Sequence, residues 1–256
     1  MKKKLLIYIL VLIFLFFVGC TNEMEMLEDN STLKAGNERL FMPDSLRDLI
    51  EYDRNSMDQY SIRKLENILE LLYTFPETNK MLNSLKDGLK VKMEITGGSS
   101  SLGEAWYDPI YPPKIGFLRE DCITMENVLH ELLHHYAMYN YVPYRDGVIP
   151  ACEEYEMRVL TDVIMQKYCA NCDFKYQGMS PDEGLFYQPY IDWINNLINT
   201  SSFDKFLFGI EFKKYGTFCI RRLVTNDRPI SDVLNENDFN YYIPLLLETF
   251  LFDFKR

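Results

Sequence analysis

ITMENVLHELLHHYAMYN, residues 123–140, is the stretch on which the fold turns. Ahead of it the apolar residues alternate; from Ile123 to about Asn140 they recur at helical spacing. Met125, Val128, Leu129, Leu132, Leu133 and Tyr136 fall on one apolar arc. The same stretch holds all three histidines of the chain, His130, His134 and His135. Positions i and i+4 of a helix differ by roughly 40° of rotation, so His130 and His134 leave from one side, at the edge of the apolar arc. His135 is turned roughly 140° from His130 and is expected to be exposed or locally hydrogen-bonded, not a ligand. Two neutral imidazoles so spaced suit a partly open tetrahedral site, above all for Zn2+. Glu131, next to the first of them, can lean over a bound water as general base.

With no further histidine, a third ligand must be a carboxylate or a cysteine. The next helical stretch, Cys152 to Tyr168, offers Cys152, Glu153, Glu154, Glu156 and Asp162. Glu153 and Glu156 share an aliphatic arc with Leu160 and Val163, which favours one of them pointing inward. Glu154 and Arg158, at i and i+4, have the spacing of a surface ion pair. Asp162 is read either as solvent-exposed or as orienting a ligand histidine through its second ring N–H.

His130-Glu131-Leu132-Leu133-His134 resembles the HExxH motif of the zincin metallopeptidases. The Gly and His of the HExxHxxGxxH continuation are missing after Tyr136, which excludes the metzincin branch. The sequence is similar instead to the gluzincin type, in which a following helix bears a glutamate ligand. Glu154-Tyr155-Glu156-Met157-Arg158 fits the spacing of that second motif, with Met157 where Ala or Ser is usual and expected to hold the two helices further apart. The resemblance covers roughly residues 90–170. It implies Glu154 as third ligand, with Glu156 and Glu153 as alternatives, and peptide-bond hydrolysis as the activity. It also implies an edge strand before the metal helix, taken as Lys114–Arg119, to which a peptide substrate could add as a further strand.

The rest of the chain is expected to be an α+β fold, mostly helical, with a small sheet beside the HExxH helix. Helical spacing runs from Pro43 through Ile50, from Ser61 to the stop at Pro76, and from Glu77 to Lys86. Lys90–Thr96 and Lys114–Arg119 read as strands, while prolines at 109, 112 and 113 break the segment from Tyr107 to Pro113. Three aromatic-rich helices follow, at 190–198, 203–215 and 239–252.

The N-terminus reads as an export signal. Lys2, Lys3 and Lys4 precede an apolar run from Leu5 to Val18, too short to span a bilayer comfortably. Phe17-Val18-Gly19-Cys20 resembles the lipobox of bacterial lipoproteins. That resemblance implies cleavage before Cys20, a lipid on Cys20 and a mature chain anchored to the cell envelope. Three parts are expected: a signal peptide over 1–19, a polar acidic tether over 20–40 and a folded metallohydrolase domain over 41–256.

Loss of residues 1–19 removes three lysines and no acid, taking the net charge from −11 to −14. Such a surface repels nucleic acid, so the expected partners are a peptide or protein substrate and the membrane reached through Cys20. Cys122, Cys152, Cys169, Cys172 and Cys219 remain, and the Cys169-Cys172 pair is compatible with a structural disulfide, a redox pair or two separate thiols. Two other functions stay open beside hydrolysis. One is an envelope-associated binding lipoprotein with a structural or inactive zinc site, for which an intact Glu131 has no use. The other is recognition through the aromatic-rich final third.

Overall fold

The computed structural model of the chain describes residues 44–85, 90–97, 104–140, 151–169, 174–199, 205–225 and 244–252. Backbone contacts divide the chain into Met1–Leu40 and Phe41–Arg256, and every described residue belongs to the second unit. The expected signal peptide, Cys20 and the tether therefore lie outside the described residues, as does Cys172. No described helix is long and apolar enough to cross a membrane.

Four short strands form one mixed sheet: β1 (Ile50–Tyr52), β2 (Val91–Ile95), β3 (Ala105–Asp108) and β4 (Lys114–Phe117). Their spatial order is β1-β2-β4-β3, parallel except for β3, which runs antiparallel to β4. The registers align Tyr52, Met93, Ile115 and Tyr107 in one row across the sheet. Met93 and Ile115 are fully buried and Tyr107 nearly so, as expected for the face that meets the helices. Gly116 lies opposite Trp106, where an added Cβ would sit 2.2 Å from the indole ring. Only glycine allows that ring to cross β4.

Two expectations for this region need correction. Ile50 is not the end of a helix: the helix α1 is a single turn, Asp44–Arg47, and Ile50 pairs with Val91 as a strand. Nor is the Lys114 strand an edge. β4 is paired on both sides, and the outer strand next to it is β3, which completes four residues before Pro109 interrupts it. Reading the prolines as breaking the whole segment hid that strand.

Helices supply the rest of the core, which makes the fold α+β and mostly helical. Helix α2 (Gln59–Thr74) starts on Asp58, whose carboxylate accepts the Ser61 N–H at 2.8 Å. Its Leu65, Leu69 and Leu72 are completely buried, each worth about 2 kcal/mol of transfer free energy. Helix α3 (Pro76–Leu85) begins with the proline that ends α2, where a missing N–H costs nothing. The metal-motif helix α4 (Met125–Asn140) packs against α2, β3 and α5 (Ala151–Tyr168).

Helix α5 is central, in contact with α4 and with α6 (Tyr187–Asn199), α7 (Lys205–Thr225) and α8 (Leu245–Phe252). It is accordingly buried on most sides, including Tyr155, Met157, Leu160 and Ile164. The aromatics of the final third fill this core. Trp193 lies 5.3 Å from Tyr215 and 5.7 Å from Phe208, and Tyr155 lies 5.2 Å from Phe212, all between ring centroids. Packing with one another is their principal role.

Candidate metal centre

Helix α4 enters the core almost at once. Thr124 accepts the Asn127 N–H at 3.3 Å, and Asn127 Nδ2 donates to the Cys122 carbonyl at 3.0 Å, which holds the first turn. Every residue from Val128 to Ala137 is buried, so the helix is enclosed on all sides rather than along one arc. The histidines are inside, with 5% of His130, 5% of Glu131 and 2% of His134 exposed.

His130 Nε2 and His134 Nε2 approach to 3.1 Å. Glu154, arriving from the first turn of α5, places Oε2 3.1 Å from His134 Nε2 and Oε1 3.5 Å from His130 Nε2. Donors bonded at roughly 2.0–2.1 Å in a tetrahedron stand about 3.3 Å apart, so these separations match one face of a zinc site. The chemistry of the donors agrees with the geometry. Burial pushes the His130 imidazole down to about 4, against the pull of Glu154, leaving it neutral as a ligand must be. Burial opposes charge on Glu154, but Arg158 and then His130 outweigh it and hold the carboxyl well below the usual range. His130, His134 and Glu154 fit a divalent cation among the described residues.

Glu131 sits beside this group on α4. Burial, with the charge of Glu154 added, pushes its carboxyl well above the ordinary range.

The alternatives for the third ligand separate cleanly. Glu156 is buried on another side of α5, where Oε1 accepts the Leu247 N–H at 2.9 Å and anchors the start of α8. Neither Glu153 nor Cys152 belongs to the convergent group. Met157 is buried at 1% exposure, yet α4 and α5 remain close enough to bring Glu154 into contact with His134. The Glu154–Arg158 pair exists, but it faces the centre rather than the surface: Nε and Nη2 reach Oε1 at 2.8 and 2.6 Å.

Asp162 is neither exposed nor bonded to a histidine. It accepts N–H groups from Gln177 and Gly178, at 2.7 and 2.9 Å, and the Tyr190 hydroxyl at 2.5 Å. His135 is also buried, with Nδ1 3.1 Å from the Tyr107 hydroxyl. Tyr139 on α4 is 47% exposed, and Tyr141, Tyr144 and Arg145 of the segment after it lie outside the described residues. Cys122, Cys152, Cys169 and Cys219 are buried.

Arg158, Gln177 and Tyr107 surround the site without having been singled out by sequence. Only Arg158 had a signal, its i+4 spacing from Glu154. Compared with known proteins, the chain matches no family model, no curated protein and no solved structure.

Proposed function

We propose that the chain is a zinc-dependent peptidase in which His130, His134 and Glu154 hold the metal and Glu131 is the general base. One observation carries this reading: three donor atoms of the right chemistry converge within 4.8 Å of one another, beside Glu131. Three protein ligands leave the fourth corner of a tetrahedron for water or substrate, the pattern of a catalytic site rather than a structural one. Zinc bound there would polarise a substrate carbonyl and acidify a water molecule.

The chain's own groups supply the remaining steps. Glu131, with its proton affinity raised by burial, is suited to take a proton from water and return it to the leaving amine. His130 stays neutral down to about pH 4, so it serves as ligand and not as proton carrier. Among the described residues β3 is an outer strand, packed on α4, and its edge would suit an extended peptide.

The near-complete burial of His130, Glu131 and His134 favours a second reading, a structural or inactive zinc site in a binding lipoprotein. Cleavage of a mixed peptide library by the native chain and by Glu131→Gln separates the two. The peptidase reading expects cleavage lost in Glu131→Gln with zinc retained. Stoichiometric zinc with no Glu131-dependent cleavage contradicts it and leaves the structural reading.

We further propose that the chain is exported and lipid-anchored at Cys20, a reading supported by Lys2–Lys4, the apolar run from Leu5 and Val18-Gly19-Cys20. Incorporation of labelled fatty acid, abolished in Cys20→Ala, is the expected result; equal labelling of the variant contradicts it.

A further inference from the structure

Glu154, Arg158 and Asp162 stand at i, i+4 and i+8 of α5, the first two partly buried and Asp162 fully so. A carboxylate ligand has two equivalent oxygens and can turn about its terminal bond, so something must choose the oxygen and fix the angle. Arg158 is built to do so. Its Nε donates to Oε1 of Glu154 at 2.8 Å and Nη2 lies 2.6 Å from the same oxygen, while Oε2 is left facing His134 Nε2 at 3.1 Å.

The other edge of the guanidinium is tied down as well. Arg158 Nη1 donates to the Gln177 carbonyl at 3.1 Å. The backbone carrying that carbonyl is clamped on Asp162, which takes the N–H of Gln177 on Oδ1 and the N–H of Gly178 with the Tyr190 hydroxyl on Oδ2. Gly178 is required for the approach, since an added Cβ would lie 2.3 Å from the Tyr190 oxygen. The Gln177 side chain then crosses to α4, where Nε2 donates to Asn127 Oδ1 at 3.1 Å, one turn before His130. One short segment thus holds the arginine that holds the ligand, and also touches the helix bearing the other two ligands.

We propose that Arg158 is a positioning residue: braced by the Gln177 carbonyl and the Asp162–Tyr190 clamp, it occupies Oε1 of Glu154 and commits Oε2 to the metal. The assignment rests on the metal reading above. Lysine cannot replace this arginine, because a single ammonium has no planar fork with which to span Glu154 and Gln177 at once.

The test uses the full-length chain in detergent, comparing native, Arg158→Lys and Tyr190→Phe. Zinc affinity is measured by competition with a chromophoric chelator, and ligand geometry by the visible absorption of the cobalt-loaded chain. Arg158→Lys preserves the local charge, so an effect reports positioning. The expected loss of zinc affinity is about 10–100-fold, the usual cost of removing a partner that orients a ligand, with an altered cobalt spectrum. Tyr190→Phe is expected to give a smaller loss in the same direction, and it decides the matter if Arg158→Lys shows no cooperative melt. Zinc affinity and cobalt spectrum both unchanged in the folded variant, with only the melting temperature lowered, would overturn the positioning role alone. A native chain that binds no zinc would overturn the metal reading and the arm with it.

Discussion

Tyr107 on β3 reaches across to α4, and its hydroxyl stands 3.1 Å from His135 Nδ1. This bond joins an outer strand of the sheet to the residue that directly follows His134. The Tyr107 ring is also parallel to the His134 ring, within 1°, at 6.5 Å between centroids. The strand is thereby held against the face of α4. Tyr107→Phe keeps the ring and removes the bond, so unfolding by urea is expected to show a loss of about 1–2 kcal/mol. An unchanged midpoint would mean that the bond contributes nothing net.

Glu154 and Glu156 differ by two positions on α5 and meet different partners, His134 and Arg158 for the one and the Leu247 N–H for the other. Glu154→Gln is expected to lower zinc affinity at least as much as losing an outer partner, about 10–100-fold or more. Glu156→Gln, whose carboxylate meets the Leu247 N–H instead, is expected to leave zinc affinity unchanged and to lower the melting temperature. Chelator competition on the two variants checks this, and the reverse pattern would reassign the third ligand.

Gly178→Ala adds a methyl group 2.3 Å from the Tyr190 oxygen and 3.2 Å from Asp162 Oδ2. Both neighbours are buried and bonded, so neither moves cheaply. A destabilisation of about 1–3 kcal/mol is expected by denaturant titration, and a variant as stable as the native chain would show that the clamp is loose.

Acid is expected to weaken the metal-free protein through His130. Its folded imidazole titrates at about 4 and the unfolded one at the ordinary 6.5. Between these values the unfolded chain binds the extra proton, so stability falls as pH drops from 6.5 towards 4 and levels off below. The full difference corresponds to at most about 3 kcal/mol. Denaturation midpoints of native and His130→Gln protein across that window test it: the native curve is expected to fall more steeply, and parallel curves would contradict the assignment.

The convergence of His130 and His134 and the existence of α4 and α5 are legible because helical spacing fixes which side chains share a side. Strand β3 was not, since its four residues are too short to show a period and prolines follow directly. The burial of His135 and of the whole turn around it was also hidden. Periodicity describes a helix with one covered face, whereas α4 is covered by α2, α5 and β3 together. Glu154 follows from the resemblance, against a helix-face reading that favours Glu153 or Glu156, and Arg158 reads as a surface partner because an i+4 pair looks the same in sequence wherever it points. Gln177 had no signal, because its part is played by a backbone carbonyl, which every residue possesses.

The central claim is that His130, His134 and Glu154 together bind zinc, and the zinc content of the purified full-length chain tests it most directly. One zinc per chain is expected in the native protein and in Glu131→Gln, and none in His134→Ala. No zinc in the native chain, or an equal amount in His134→Ala, would contradict the account.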